Sequence, residues 1–133
     1  LVLGDSLSWP FPDGLCSCVT SGFSLRNMPD LRASLLEMAR VLKPGGRMVT
    51  LELVPQGGGI MRPLVYLYIH HLIPLMGRII VGDAAAYTYL PRSIDRFLTP
   101  DGLLALLTEI GLDNVGCQTF NFGTVAIHWG VKK

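Results

Sequence analysis

The sequence predicts an α/β fold: a mostly parallel sheet with helices on its faces and an antiparallel hairpin at its carboxyl-terminal end. Two observations predict it. Residues 16–54 run from a short strand-like stretch through an amphipathic stretch to a second apolar run, the βαβ rhythm of a parallel sheet. Residues 114–131 hold two strand-like runs separated by a turn at Phe122-Gly123, the pattern of a hairpin.

Each element has its own local reason. Leu1-Val2-Leu3-Gly4-Asp5 reads as the end of a strand, and residues 16–22 as a short strand with one buried face. Asp30 is placed to cap a helix, because its carboxylate can accept the orphan amide protons of a first turn. Leu31, Leu35, Met38 and Leu42 follow at helical spacing, widened by Leu36 and Ala39. Pro44-Gly45-Gly46 is expected to end that helix, and residues 47–54 to form the next strand. The glycines at 57–59 read as a linker, since no Gly-Lys-Ser/Thr follows them. Residues 60–81 are helical in composition, broken near Pro74 and Gly77, and Asp83 can cap a further helix over 84–95. Thr99-Pro100 is a helix start, with Leu103, Leu106, Leu107 and Ile110 on one face and Gly111 closing it. The whole of 1–133 reads as one partial domain carrying a helical insertion at about 60–96.

Composition narrows the function. Half of the 133 residues are hydrophobic and 16% are charged, so part of the surface is expected to meet something greasy or another protein. A net charge of +1, from 11 basic and 10 acidic residues without a basic block, argues against nucleic acid as a partner. Three cysteines make no disulfide framework, and Cys16 and Cys18 lack zinc-pair spacing. All three are expected to be buried thiols in a reducing, cytoplasmic compartment. The greasy stretch 60–82 carries Arg62, His70, His71, Pro74 and Arg78. It is therefore expected to line a pocket or touch a membrane interface peripherally, not to span.

Several residues are candidates for chemistry. Asp5 lies past an expected strand end, where ligands of open α/β sheets bind; it reads equally as a turn cap or as an acceptor for an exocyclic amine. Arg26 and Asn27 also follow an expected strand end and fall on the same rim. His70, His71 and His128 do not have metal-triad spacing. Tyr66, Tyr68, Tyr87 and Tyr89 read as pocket wall or core. Ser24 has no histidine base beside it, so a hydrolase triad is unsupported.

Taken together, "GDSLSWPFPD" (4–13), "GFSLRN" (22–27), "EMARVLKPGGR" (37–47), "GDAAAYTYLPRSI" (82–94) and "GTVAIHWG" (123–130) resemble the carboxyl-terminal half of the UbiE-type quinone-biosynthesis C-methyltransferases. The "LKPGGR" piece is common to many methyltransferases, whereas "LRN" followed by the Gly-Asp…Tyr-x-Tyr-Leu block is more specific. The resemblance implies the carboxyl-terminal part of a Rossmann-like class I fold that uses S-adenosylmethionine to methylate a ring carbon of a polyprenyl quinol. It implies that Asp5, Ser6 and Gly22 meet the cofactor, and that Arg26 and Asn27 act at the substrate. It also implies a substrate pocket including Tyr68, Asp83, Tyr87 and Tyr89, with the 60–81 segment receiving the prenyl tail. Cys16-Ser17 stand where the family usually has an aromatic-acidic pair. The glycine-rich loop and the ribose acid are expected before residue 1, so the chain alone is expected to be inactive. The rival expectations are a methyltransferase of another lipid and a non-catalytic subunit of a quinone-synthesis complex; a homo-oligomer is also compatible.

Overall fold

The computed structural model describes residues 2–55, 62–72, 75 and 84–133. The expected glycine linker, the cap at Asp83 and the breaks near Pro74 and Gly77 lie outside these residues. Four strands, β1 (Cys16–Gly22), β2 (Leu42–Leu53), β3 (Leu112–Phe120) and β4 (Val125–Lys132), form one sheet in the order β1-β2-β4-β3. β1 runs parallel to β2, and β4 runs antiparallel to both β2 and β3. The helices are α1 (Leu31–Val41), α2 (Arg62–Leu67) with a π-helical turn at Tyr68–Leu72, α3 (Ala84–Asp95) and α4 (Pro100–Glu109).

The two expected caps that fall on described residues form. Asp30 accepts from the Ala33 amide at 2.9 Å, and Thr99 from the Gly102 amide at 3.2 Å. The helices they start bring Leu35, Met38 and Val41 of α1 and Leu103 and Leu107 of α4 onto one sheet face, around Val19, Met48 and Leu112. Residues alternate across a strand, so the other face holds Val49, Leu51, Ile127, Trp129 and Val131, which are only half-buried. The tie at the end of α1 comes from β4, where Lys132 donates to the Arg40 and Leu42 carbonyls at 3.0 and 2.8 Å.

Three expectations are corrected. Residues 2–4 join no strand; a strand exists only through a hydrogen-bonded neighbour, and the one ladder contact nearby is an isolated bridge between Asp5 and Ser8. Pro44-Gly45-Gly46 does not separate helix from strand. It lies inside β2, which begins at Leu42, and the register jumps from Cys16–Leu42 to Cys18–Arg47 around it. Gly45 takes φ +77, and a Cβ on Gly46 would fall 2.8 Å from the Lys43 carbonyl oxygen, so the bulge needs both glycines. The same irregularity separates the cysteines: Cys16 packs against the core while Cys18 is exposed, and Cys117 is half-buried, so the three are not all buried thiols.

The core face also carries polar groups. Thr50, Glu52 and His128 are fully buried. His128 Nε2 donates to the Pro100 carbonyl at 2.9 Å, tying β4 to the start of α4. Burial holds its pKa below the ordinary 6.5, against the smaller opposing effects of that bond and of Asp101. A histidine depressed in the fold binds its proton more readily when unfolded. Its contribution is present above about pH 6.5 and is lost as pH falls through the depressed value. Urea denaturation between about pH 7 and pH 5 should show stability falling with acid, with a shallower fall in His128→Gln; equal slopes would show that His128 does not contribute to the loss. Separately, a Cβ on Gly116 would lie 2.3 Å from Trp129 Cζ2 across the β3–β4 ladder. Gly116→Ala should therefore cost about 1–3 kcal/mol in the same assay.

Candidate functional site

β1 and β2 are parallel, so their carboxyl ends lie side by side, with Gly22 opposite Leu51. The chain leaves β1 through Phe23, whose amide donates to the Leu51 carbonyl at 2.8 Å, and then makes a single 3₁₀ turn over Leu25–Asn27. Glu52, one residue before the end of β2, fixes that turn. Its Oε1 accepts from the Leu25 amide at 2.6 Å and its Oε2 from Arg26 Nη1 at 2.6 Å. The carboxylate is wholly buried and the Arg26 side chain only 11% exposed. The Phe23 ring centroid lies 5.9 Å from the guanidinium carbon, within cation–π range. Arg26 Nε is buried and has no hydrogen-bond partner among the described residues.

Asn27 is oriented from α3. Tyr89 on α3 donates its hydroxyl to Asn27 Oδ1 at 2.5 Å. With its oxygen occupied, the amide keeps its two N–H donors for another group. Arg26, Asn27 and Tyr89 line one open cavity of about 890 Å³, together with apolar walls from Leu25, Met28, Phe97 and Leu106. The cavity is also lined by Arg32, Arg92, Ser93 and Arg96, and a fixed guanidinium and an amide donor at its wall can bind and stabilise an oxygen that gains negative charge.

The other sequence candidates fall elsewhere. Asp5 is exposed, and its Oδ1 accepts from the Leu7 amide at 2.9 Å, which is the turn-capping arrangement. Asp5, Ser6 and Gly22 are not among the residues lining the Arg26 cavity. The segment after Asp5 is pinned to α1: Glu37 accepts from the Trp9 amide at 2.7 Å, and Arg40 donates to the Phe11 carbonyl at 2.9 Å and to Asp13. Hydrogen bonds from Arg40, then from Trp9, hold the Glu37 carboxyl down to about 2. Tyr68 is exposed on the π-helical turn and does not line the cavity; none of the described residues of 62–72 does. Asp83 lies outside the described residues, and Tyr87 falls on α3 with its side chain outside them.

Glu52 was not a sequence candidate. The signal was present: Met48, Thr50 and Glu52 are alternate residues of one strand, which puts a carboxylate on the core face at the strand's carboxyl end.

Comparison with known proteins agrees with this architecture. The family model described as the ubiE/COQ5 methyltransferase family matches residues 1–132. The ubiquinone/menaquinone biosynthesis C-methyltransferase UbiE of Desulfotalea psychrophila is 43% identical over 96% of this chain and 52% of its own length. The demethylmenaquinone methyltransferase of Thermus thermophilus is 40% identical over 95% of this chain and 57% of its own length. The chain thus spans about half the length of the curated relatives it matches. Among solved structures, a SAM-dependent methyltransferase from Thermotoga maritima superposes with a TM-score of 0.67 at 15% identity, covering 98% of this chain and 62% of that one. A SAM-dependent methyltransferase from Aquifex aeolicus superposes at 0.61 and 12% identity, covering 100% of this chain and 54% of that one. The fold is the carboxyl-terminal part of the class I methyltransferase fold, with the antiparallel strands at its end.

The geometry around Glu52 makes a stability prediction. Removing one partner of a buried pair strands the other charge, so Glu52→Ala should cost about 3–5 kcal/mol in urea denaturation. Arg26→Ala/Glu52→Ala should cost less than the sum of the single changes, because neither charge is then left alone. Simple additivity would mean that the pair is not coupled.

Proposed function

Because the chain belongs to the ubiE/COQ5 methyltransferase family, we propose that it forms the substrate-binding half of an S-adenosylmethionine-dependent C-methyltransferase whose acceptor is a ring carbon of a polyprenyl quinol. The observation that carries the reading is the Arg26 guanidinium, held by a buried carboxylate at the wall of an open cavity beside the Asn27 amide.

The chemistry follows from that placement. A quinol ring carbon becomes a good nucleophile as its hydroxyl releases its proton, and the oxygen then carries negative charge. Arg26 lowers the energy of that oxyanion, directly or through an ordered water that takes the proton. Glu52 keeps the guanidinium from swinging away and leaves Nε to point elsewhere. Tyr89 turns Asn27 so that its N–H donors hold the oxygen in place. This fixed geometry contributes the positioning part of the rate.

The residues present fit the cofactor's adenine edge. Asp5 is exposed and has a second carboxylate oxygen beyond the one in its own turn, able to accept from an amine. A Cβ at Gly22 would meet no atom within 4 Å, so the backbone there is open to approach. Asp5, Ser6 and Gly22 would hold that edge; when bound, S-adenosylmethionine supplies an electrophilic methyl group. Among the described residues no other group is assigned to the methionine or the ribose, so the chain by itself is expected to give no turnover.

The exposed Leu64, Leu67, Leu72 and Leu75 support peripheral contact with a membrane, where a prenylated substrate would reside, on the cytoplasmic side. No helix among the described residues is long and apolar enough to cross a membrane. The outer edge of β1, which pairs with no described strand, favours a second reading as a subunit that joins a partner in quinone synthesis. A stable heteromer in gel filtration would support that reading.

A chimera tests the main reading. This chain, replacing the matched half of the Thermus thermophilus demethylmenaquinone methyltransferase, should methylate a short-tailed demethylmenaquinol. Arg26→Ala in the chimera should lower kcat by about 10²–10³-fold with cofactor binding retained. Turnover unaffected by the substitution would overturn the role of Arg26, and methylation of other lipids alone would overturn the substrate.

A further inference from the structure

Where the chain leaves β1, the backbone strain falls on a residue that a simple turn would not choose. Phe23 has φ +55, in the left-handed region that a bulky side chain rarely occupies. Gly22, immediately before it, takes a φ open to any residue. A turn built for stability alone would carry the glycine one position later. Packing does not account for the phenyl ring either, since Phe23 is 43% exposed and lies outside the apolar core cluster.

Strain of this kind persists where the surrounding chain is tied down, and here it is tied on both sides. The Phe23 amide donates to the Leu51 carbonyl at 2.8 Å, and the Ser21 and Ser24 hydroxyls share a hydrogen bond of 2.6 Å. The Leu25 amide meets Glu52 at 2.6 Å. What these ties place is the ring, whose centroid lies 5.9 Å from Arg26 Cζ.

Arg26 needs that contact. Glu52 uses Oε1 on the Leu25 amide, so Oε2 holds Arg26 through Nη1 alone. A single hydrogen bond is a pivot about which the guanidinium plane can turn. Arg40 shows the contrast: Glu37 accepts from its Nε and Nη2 at 2.8 Å each, a two-bond fork that fixes the plane by itself. Arg26 has no such second bond among the described residues, and its buried Nε is without a partner there.

We propose that Phe23 is a positioning residue whose ring fixes the plane of the Arg26 guanidinium, so that the donors not bound to Glu52 are aimed at the substrate oxygen. The proposal rests on the reading of Arg26 as the partner of an oxyanion. Glu52 sets where the guanidinium sits, and Phe23 sets how it is turned.

Nitrogen-15 relaxation of the Arg26 Nε–H group in the purified chain tests it, the resonance being the one missing in Arg26→Gln. Its order parameter should be about 0.8 or higher in the unmodified chain and below about 0.6 in Phe23→Leu, which keeps apolar bulk and loses the ring. Phe23→Tyr keeps the ring and should keep the higher value. Phe23→Gly should lose the rigidity while its urea midpoint stays level or rises, because it relieves the strained φ; a ring that served stability alone would lower the midpoint. In the chimera, Phe23→Leu should lower kcat about tenfold with KM within about twofold. Rigidity retained in both Phe23→Leu and Phe23→Gly would overturn the proposal. So would rigidity lost with kcat unchanged while Arg26→Ala still lowers it. Turnover unaffected by Arg26→Ala would instead overturn the oxyanion reading, and the order parameter would then decide by itself whether Phe23 fixes the plane.

Discussion

Glu52 is the point on which the site depends. A carboxylate removed from water costs several kcal/mol unless its oxygens are satisfied, and here one oxygen takes a backbone amide while the other takes a guanidinium. Those two bonds turn a penalty into a constraint. The Leu25 amide fixes where the chain goes as it leaves β1, and Arg26 has its head held against the strand end instead of waving in solvent. Because β1 and β2 are parallel neighbours, the interaction needs no loop of special length; adjacent strand ends bring the groups together.

Around that constraint the site divides its labour between two parts of the chain. The strand ends hold the charge, and α3 supplies orientation, through the Tyr89 hydroxyl on Asn27. The cavity walls are mixed, with Leu25, Met28, Phe97 and Leu106 beside Arg26, Asn27, Ser93 and Tyr89, and a cation held out of water acts more strongly on a neighbouring oxygen than one in solvent. The same exclusion from water explains the burden elsewhere in the core. Thr50 Oγ1 and His128 Nδ1 are buried without partners among the described residues, and they sit opposite each other across the β2–β4 ladder.

What could be read from sequence was what depends on near neighbours. Asp30 and Thr99 cap helices through bonds three residues long, and the stripes of α1 and α4 follow from spacing alone. The hairpin turn at Asn121–Gly123 announced itself through its residues. The rest depends on distant partners. Arg26 was legible as a candidate, but its tie to Glu52 spans 26 residues, and the Tyr89–Asn27 bond spans 62. Pro44-Gly45-Gly46 looked like a boundary because its chemistry suits a turn; only pairing with β1 makes it a bulge. Residues 2–4 have the composition of a strand without a described neighbour to make them one. Cys18 was expected to be buried because neither a disulfide nor a zinc site claimed it, and its exposure goes with a register irregularity that the sequence does not reveal.

If a guanidinium fixed by Glu52 stabilises an oxyanion in the cavity, a naphthol bound there ionises more readily than the same naphthol in water. The absorbance of a short-tailed naphthol analogue bound to the chain, followed against pH, reports its hydroxyl pKa without any methyl transfer. The account predicts a value at least about one unit below that of the free analogue, with the shift lost in Arg26→Gln while the analogue still binds. An unshifted hydroxyl in the unmodified chain, or an equal shift without Arg26, would contradict it.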